Sequence, residues 1–357
     1  MKLLWYIPRL NLGGAESLTI TVLNFLSKFH SVILVTDIKK SSEINQIKKN
    51  IKIINLDDAS GLLYFLKLYK LRKIVKKFKK FKFVSNLTHA NLNSYISLLF
   101  LNIKIIGIEH NTLSEYLSHK KNFKNLVISV LCKFIYKRID KIICVSNYVS
   151  KNLEKNYGCK NCITIHNAVD RKKIILKSKS FNYKSNEPYI IFVGRLEKQK
   201  NLFRLLKIYK KLVQSGIMHN LIIIGDGSEL ENLKKEVQKI KLIKKVFFLG
   251  KQKNPYPYIR NADLSIMTSH FEGFGIFLIE SLVLGVKIFT YDNKIINEIS
   301  NNKEFAHKFT ANKSDIINIK KIKLLLNSKT KKNKLQNLAI PYDIKNVSKK
   351  YIKAFTK

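Results

Sequence analysis

One grammar runs through this chain twice, and it restricts the fold more than any other feature. Short apolar runs alternate with helical stretches, and the loops between them carry glycine, histidine or asparagine. The runs lie at 2–7, 31–36, 83–87, 103–108, 141–146 and 163–167, then again at 189–193, 221–224, 246–249 and 263–267. Each is too short for a buried helix, whereas 15–29, between the first two, has the helical period. Strand, loop, helix and strand in this order build a parallel, doubly wound α/β sheet, because each crossover must pass over one face of it. Such sheets bind their ligands beyond the carboxyl ends of the strands. Residues 171–186, RKKIILKSKSFNYKSN, lose the period and turn basic, so they are expected to link two domains, 1–170 and 187–340. The end of the chain, 341–357, is expected to be a helix, and a length of 357 residues suits two domains.

The loops at the strand ends hold the candidate chemistry. Residues 269–285 read SHFEGFGIFLIESLVLG: Glu272 opens the stretch, Gly273-Phe274-Gly275 makes a tight turn, and Glu280 follows eight positions after the first glutamate. Gly273 and Gly275 let the backbone turn sharply and approach a ligand, and a helix starting behind them aims unpaired N–H groups at an anion such as a diphosphate. Glu280, about one helical turn in, lies within reach of the same ligand. The plain alternative is a loop, a helix and a half-buried glutamate paired with a lysine. After the run at 189–193 comes Gly194-Arg195-Leu196-Glu197-Lys198-Gln199-Lys200-Asn201. There Arg195 offers a planar fork and Lys200 a point charge, which together can hold a diphosphate. Gly13 and Gly14 follow the first strand and stand before a helix, although a Gly-Gly pair alone is an ordinary turn. Gly225-Asp226-Gly227 follows another strand, but Leu230 stands where a dinucleotide fingerprint needs its third glycine. His110 sits just past a strand end, where it can bond a sugar or carry a proton near neutral pH. His89 holds a similar position, and one of the two is expected to be structural.

Charge narrows the partners. Sixty-seven basic and 24 acidic residues leave +43. That excess suits a polyanion: nucleic acid, an anionic membrane surface or phosphorylated substrates. The chain is also rich in Lys, Asn and Ile, the residues of adenine- and thymine-rich codons, so part of the charge reflects genome composition. Residues 60–82 read as a helix with Leu71, Ile74, Val75 and Phe78 in a stripe, nine basic residues from Lys67 to Lys82, and no acid between Ala59 and Ile108. Two readings stand: a membrane-surface helix using Lys73, Lys76, Lys77 and Lys80, or a core-packed helix with a solvated lysine face. Basic and aromatic residues recur from Lys120 to Lys141 and would broaden such a surface. No apolar run approaches the roughly 20 residues needed to span a bilayer, and the run at 3–7 is too short for a signal sequence. The four cysteines in so long a chain indicate a reducing cytoplasm. Cys159, Cys162 and His166 lack a fourth ligand for zinc, so no metal is expected.

Taken in order, GGAE at 13–16, the His110 segment, Ser146 with its following leucine, HNAVD at 166–170, GRLEKQKN at 194–201, GDG at 225–227 and EGFG at 272–275 with Glu280 resemble the family 4 glycosyltransferases over nearly the whole chain. Lys287 stands where the family usually has proline, and Ala168 where glycine is common. The resemblance implies the GT-B fold, two Rossmann-like domains facing across a cleft, with the terminal helix returning to the first. It implies retaining transfer of a hexose-class sugar from a nucleotide-sugar donor, expected to be UDP-linked, without metal or cofactor. By the same resemblance Arg195 and Lys200 offset the leaving diphosphate's charge and Gly13 and Gly14 approach it. Glu280 holds the ribose, Glu272 with the 273–275 backbone grips the sugar, and His110 supports the sugar in transit. The acceptor is expected to be a glycan, lipid-linked and bound to the first domain, in envelope polysaccharide or lipopolysaccharide synthesis at the inner face of the cell membrane. The alternatives are a GT-B sugar-nucleotide epimerase or a basic nucleic-acid-binding protein. The latter leaves the two glutamates unused, so no nucleic acid is expected.

Overall fold

The computed structural model describes residues 1–10, 13–37, 44–56, 63–119, 122–291, 298, 308–309 and 315–356. The chain forms two compact units, one of Met1–Ala168 with Ile344–Lys357, the other of Val169–Asp343.

The first unit is a parallel sheet of β1 (Lys2–Tyr6), β2 (Ser31–Thr36), β3 (Lys52–Asn55), β4 (Lys82–Asn86), β5 (Ile105–Glu109), β6 (Lys141–Cys144) and β7 (Cys162–Thr164). Their order is β3-β2-β1-β4-β5-β6-β7, so the winding reverses between β1 and β4. The central strands are apolar on both faces, and Leu3, Leu4, Trp5 and Tyr6 are all buried, as a sheet covered on two sides requires. The second unit repeats the scheme with β8 (Tyr189–Val193), β9 (Asn220–Ile224), β10 (Val246–Phe248), β11 (Leu264–Met267), β12 (Lys287–Tyr291) and β13 (Lys308–Phe309). Its order is β10-β9-β8-β11-β12-β13, and the reversal falls between β8 and β11. Both units are Rossmann-like.

The structure departs from the sequence pattern in places. Residues 171–186 are not a featureless linker: Arg171–Lys177 is helical, because Asp170 caps it by accepting from the Lys173 N–H at 2.9 Å. Strands β3 and β12 escape the sequence pattern, since each opens on a lysine that breaks the apolar run. Lys287, which replaces the usual proline, has a function of its own. Its ammonium donates to the carbonyls of Leu325, Leu326 and Ser328 at 2.7, 3.2 and 3.2 Å. It thereby caps the end of the helix Asp315–Asn327, where a positive charge is favourable.

Of the two readings of residues 60–82, the helix Leu63–Lys77 follows the core-packed one. Leu68, Leu71 and Val75 are buried, and the helix packs on Thr88–Leu98. The stripe seen in the sequence is therefore the core face, and Lys67 beside it is buried in an ion pair with Asp37 at 2.9 Å. Lys73, Lys76, Lys77 and Lys80 stay exposed.

The last helix, Ile344–Thr356, belongs to the first unit and packs on Gly14–Leu26. Tyr351 and Phe355 meet the Trp5 ring at 6.3 and 6.1 Å, and Lys141 donates to the Ala354 carbonyl at 2.7 Å. Phe355 is 1% exposed, so Phe355→Ala should cost about 3–5 kcal/mol through lost burial and the cavity left behind. Trp5 is the single tryptophan and reports on this unit alone. Urea unfolding followed by its emission should show an earlier midpoint, and an unchanged midpoint would mean that the helix does not stabilise the sheet.

Candidate active site

In the second unit the loops leaving β8 and β11 emerge side by side, and hydrogen bonds join them. Gln199 donates to the Phe271 carbonyl at 2.9 Å, the His270 N–H donates to the Gln199 carbonyl at 2.9 Å, and the Thr268 hydroxyl reaches the Asn201 carbonyl at 2.9 Å. This arrangement brings Lys200 onto Glu272, with Nζ 2.5 Å from Oε1 and both side chains largely buried. Arg195, on the same loop, is exposed and makes no hydrogen bond among the described residues. A fixed lysine, an exposed guanidinium and a carboxylate thus share one strand edge, which suits an anionic diphosphate beside a polyhydroxylated group.

Gly275 takes a left-handed φ of 74° and starts the helix Ile276–Val283. Glu280, half-buried on that helix, accepts from the Tyr256 hydroxyl at 2.9 Å. Burial raises its carboxyl from 4.5 to about 7, and the Tyr256 bond opposes only part of that rise. Phe274 is buried with its ring 5.4 Å from that of Tyr342, so only its backbone remains to serve a ligand.

The Gly225 and Gly227 pair acts as a support. A Cβ at Gly225 would lie 1.8 Å from the Gly194 oxygen, and one at Gly227 would lie 2.5 Å from the Leu196 oxygen. The two glycines let the loop after β9 press against the loop that carries Arg195, where Leu196 N–H donates to the Asp226 carbonyl at 2.9 Å.

In the first unit His110 lies just beyond β5 and is buried. Its Nε2 faces the Asn86 side-chain oxygen at 2.7 Å, and the Asn86 amide donates to Thr19 at 2.6 Å. That acceptor assigns the ring proton to Nε2, which leaves Nδ1 as a lone-pair acceptor with no partner among the described residues. Burial lowers the ring to about 4. His110 is therefore neutral near pH 7, and its Nδ1 can accept a hydrogen bond there. His89, by contrast, is exposed in the first turn of its helix.

Asn86 and Glu109, which the sequence pattern did not single out, hold His110 in place. Glu109 is fully buried, with its ionisation opposed by burial and assisted by four donors. These are the Tyr136 and Thr88 hydroxyls at 2.6 and 2.8 Å and the N–H groups of His110 and Asn111 at 3.0 and 3.2 Å. Leu87, between Asn86 and Thr88, has φ 85° and ψ 152°, a conformation that costs a non-glycine residue about 1–3 kcal/mol. The only signal for Glu109 in the sequence is an acid at the end of an apolar strand. Gly13 takes an extended conformation before the helix Gly14–Leu26, and a Cβ there would come within 2.2 Å of the Glu16 carboxylate.

Two family profiles cover the chain from residue 12 to residue 340: Glycosyltransferase Family 4 matches 12–173, and Glycosyl transferases group 1 matches 173–340. The chain is a family 4 glycosyltransferase. It is similar to a Campylobacter jejuni enzyme, the N-acetylgalactosamine-N,N'-diacetylbacillosaminyl-diphospho-undecaprenol 4-alpha-N-acetylgalactosaminyltransferase. The two are 29% identical over 300 residues, which is 82% of this chain and 81% of the relative. A second enzyme of that organism, the GalNAc-alpha-(1->4)-GalNAc-alpha-(1->3)-diNAcBac-PP-undecaprenol alpha-1,4-N-acetyl-D-galactosaminyltransferase, is 26% identical over 95% of this chain and 92% of its own. Among solved structures, Anabaena HepE in complex with UDP and glucose has a TM-score of 0.79 at 16% identity, over 100% of this chain and 99% of that one, which shows the shared GT-B fold. No helix among the described residues of the glycosyltransferase is long and apolar enough to cross a membrane.

The glycosyltransferase's Glu280 has a checkable titration. Its folded value of about 7 lies above the ordinary 4.5, so the unfolded chain releases this proton first as pH rises. The stability it contributes is full below about 4.5 and declines until about pH 7. Glu280→Gln has no such proton to lose. Melting temperatures of the two proteins should therefore shift against each other between pH 4.5 and 7, with the wild type falling relative to the variant. Parallel curves would show that the carboxyl titrates normally.

Proposed function

We propose that this glycosyltransferase moves a hexose-class sugar from a UDP-linked donor, with retention of the anomeric configuration, to a lipid-linked glycan in envelope polysaccharide or lipopolysaccharide synthesis. The observation that carries the donor reading is the Lys200–Glu272 pair with Arg195 beside it at the β8/β11 reversal. On donor binding, Lys200 turns from Glu272 to the diphosphate and Arg195 joins it, which frees the carboxylate to accept hydrogen bonds from the sugar's hydroxyls. As the C1–O bond breaks, the β-phosphate gains charge, and these two cations offset it without reorganising. Glu280 accepts from the ribose hydroxyls, and the N–H groups of 273–275 complete the sugar's cradle.

His110, neutral and held by Asn86 and Glu109, accepts a hydrogen bond from the sugar and takes no proton. The acceptor hydroxyl's proton accordingly passes to the departing phosphate oxygen, on the face from which the sugar leaves. The acceptor binds the first unit, and the donor binds the second. UDP is supported by the HepE complex, and the lipid-linked acceptor by the two Campylobacter enzymes named for diphospho-undecaprenol glycans. The enzyme then works in the cytoplasm, peripherally on the inner face of the cell membrane.

Incubation with a panel of UDP-sugars and undecaprenyl-diphosphate-linked glycans tests this reading, with the new linkage read by NMR. An inverted anomeric centre, or free UDP without a transferred sugar, would overturn it. Lys200→Ala should lower turnover by about a hundredfold, the cost of removing one preorganised charge. Turnover should persist in EDTA; a complete loss restored by magnesium or manganese would contradict the cation assignment.

A further inference from the structure

The helix Phe123–Ile135 has the wrong side exposed. Of its 13 residues only Cys132 and Ile135 are buried. Phe123, Leu126, Val130 and Phe134 are 81, 62, 59 and 59% exposed, and they recur at the spacing of one helical face. The helix Leu202–Gln214 has the same length and buries six residues, so the contrast does not come from helix size. A continuous apolar stripe on a surface helix marks an interaction site.

The stripe has neighbours of the same character. The crossovers from β3 to β4, β4 to β5 and β5 to β6 all run the same way along the sheet, so their right-handedness puts them on one face. The helices Leu63–Lys77, Thr88–Leu98 and Phe123–Ile135 are in contact in that order and form one layer. On Leu63–Lys77 the side opposite Leu68, Leu71 and Val75 carries Leu66 and Tyr69, both exposed, together with Lys73, Lys76 and Lys77. Phe100, just after Thr88–Leu98, is 98% exposed.

We infer that the outer side of this layer docks on a bilayer leaflet containing anionic phospholipid, with the Phe123–Ile135 stripe inserted among the acyl chains. Charge selects this occupant. No acid lies between residues 116 and 139, whereas Lys124, Lys133, Lys137 and Arg138 flank the stripe. The Arg138 guanidinium sits 3.7 Å over the Phe134 ring, which places a cation at the stripe's edge. Apolar residues rimmed by cations fit the boundary between acyl chains and negative headgroups. A second copy of this chain would bring the same cations face to face and be repelled. The lysines of Leu63–Lys77 add long-range attraction but do not insert, because that helix spends its stripe on the core. The inference rests on the lipid-linked acceptor proposed above for its purpose, and its vesicle measurements use no acceptor.

Val130→Trp places a second tryptophan at the middle of the stripe, against the constant background of buried Trp5. With vesicles of phosphatidylglycerol the added emission should shift to the blue and be quenched by brominated acyl chains, while phosphatidylcholine vesicles should leave it unchanged. Leu126→Gln with Val130→Gln, both at exposed positions, should lower vesicle partitioning at least about tenfold and keep native circular dichroism. Lys73, Lys76, Lys77 and Lys80 replaced by Gln should weaken partitioning at low salt and have little effect at 1 M, where the Debye length is about 3 Å. If the emission added by Val130→Trp stays unquenched in protein that sediments with the vesicles, the inference is overturned. Self-association abolished by the double glutamine variant, without any vesicle binding, overturns it too. Sugar transfer to a short soluble acceptor, measured on the same variants, keeps the two proposals apart. If the activity is absent but vesicle insertion is present, the acceptor reading fails and this one stands.

Discussion

The reversal of winding in each sheet is the constraint on which the rest depends. In the second unit β8 pairs in parallel with β9 on one side and β11 on the other. Parallel pairing sends all carboxyl ends to one edge, and the reversal leaves no crossover helix between the loops leaving β8 and β11. Lys200 and Glu272 can then touch across 72 residues of sequence. Closing so long a loop is unfavourable, and the ladder pairing and core of the sheet offset that cost rather than the ion pair. The site is a consequence of the sheet.

In so basic a chain, carboxylates are scarce, and the buried ones have specific duties. Glu272 holds Lys200, Glu280 is held by Tyr256, Asp37 neutralises buried Lys67, and Glu109 organises the His110 backbone. Each is favoured differently. Asp37 and Glu272 have a cation, so their charge is matched. Glu280 has only a hydroxyl, so burial dominates and its proton is held to about 7. Glu109 has four donors and no cation, and burial still raises it. The surface meanwhile keeps almost all of the +43, which suits a protein whose proposed donor, acceptor and docking surface are all anionic.

Much of the fold was legible. Alternating runs of four to six apolar residues with helical stretches can form little else than a wound parallel sheet, and the motif order pointed to the family that the profiles then matched. What escaped detection has a physical cause in each case. β3 and β12 open on lysine, and Lys287 is comfortable there only because three carbonyls from a distant helix end receive it. The helix Arg171–Lys177 looked like a linker because a seven-residue helix with one buried residue shows almost no period.

Residue type and local spacing determined, by themselves, where the sheet edges lie, which loops carry Arg195, Lys200, Glu272 and Glu280, and where a glycine had to stand. Those properties come from backbone sterics and from periods of two and 3.6, which are local. Only the tertiary structure decided which side of an amphipathic helix faces inward. The helices Leu63–Lys77 and Phe123–Ile135 each carry an apolar stripe, yet one stripe is buried and the other is bare. It also decided that His110 is neutral and that Glu109 holds it, and that Gly225 and Gly227 support a neighbouring loop. Burial, desolvation and close approach depend on residues far apart in the chain, and no local period encodes them.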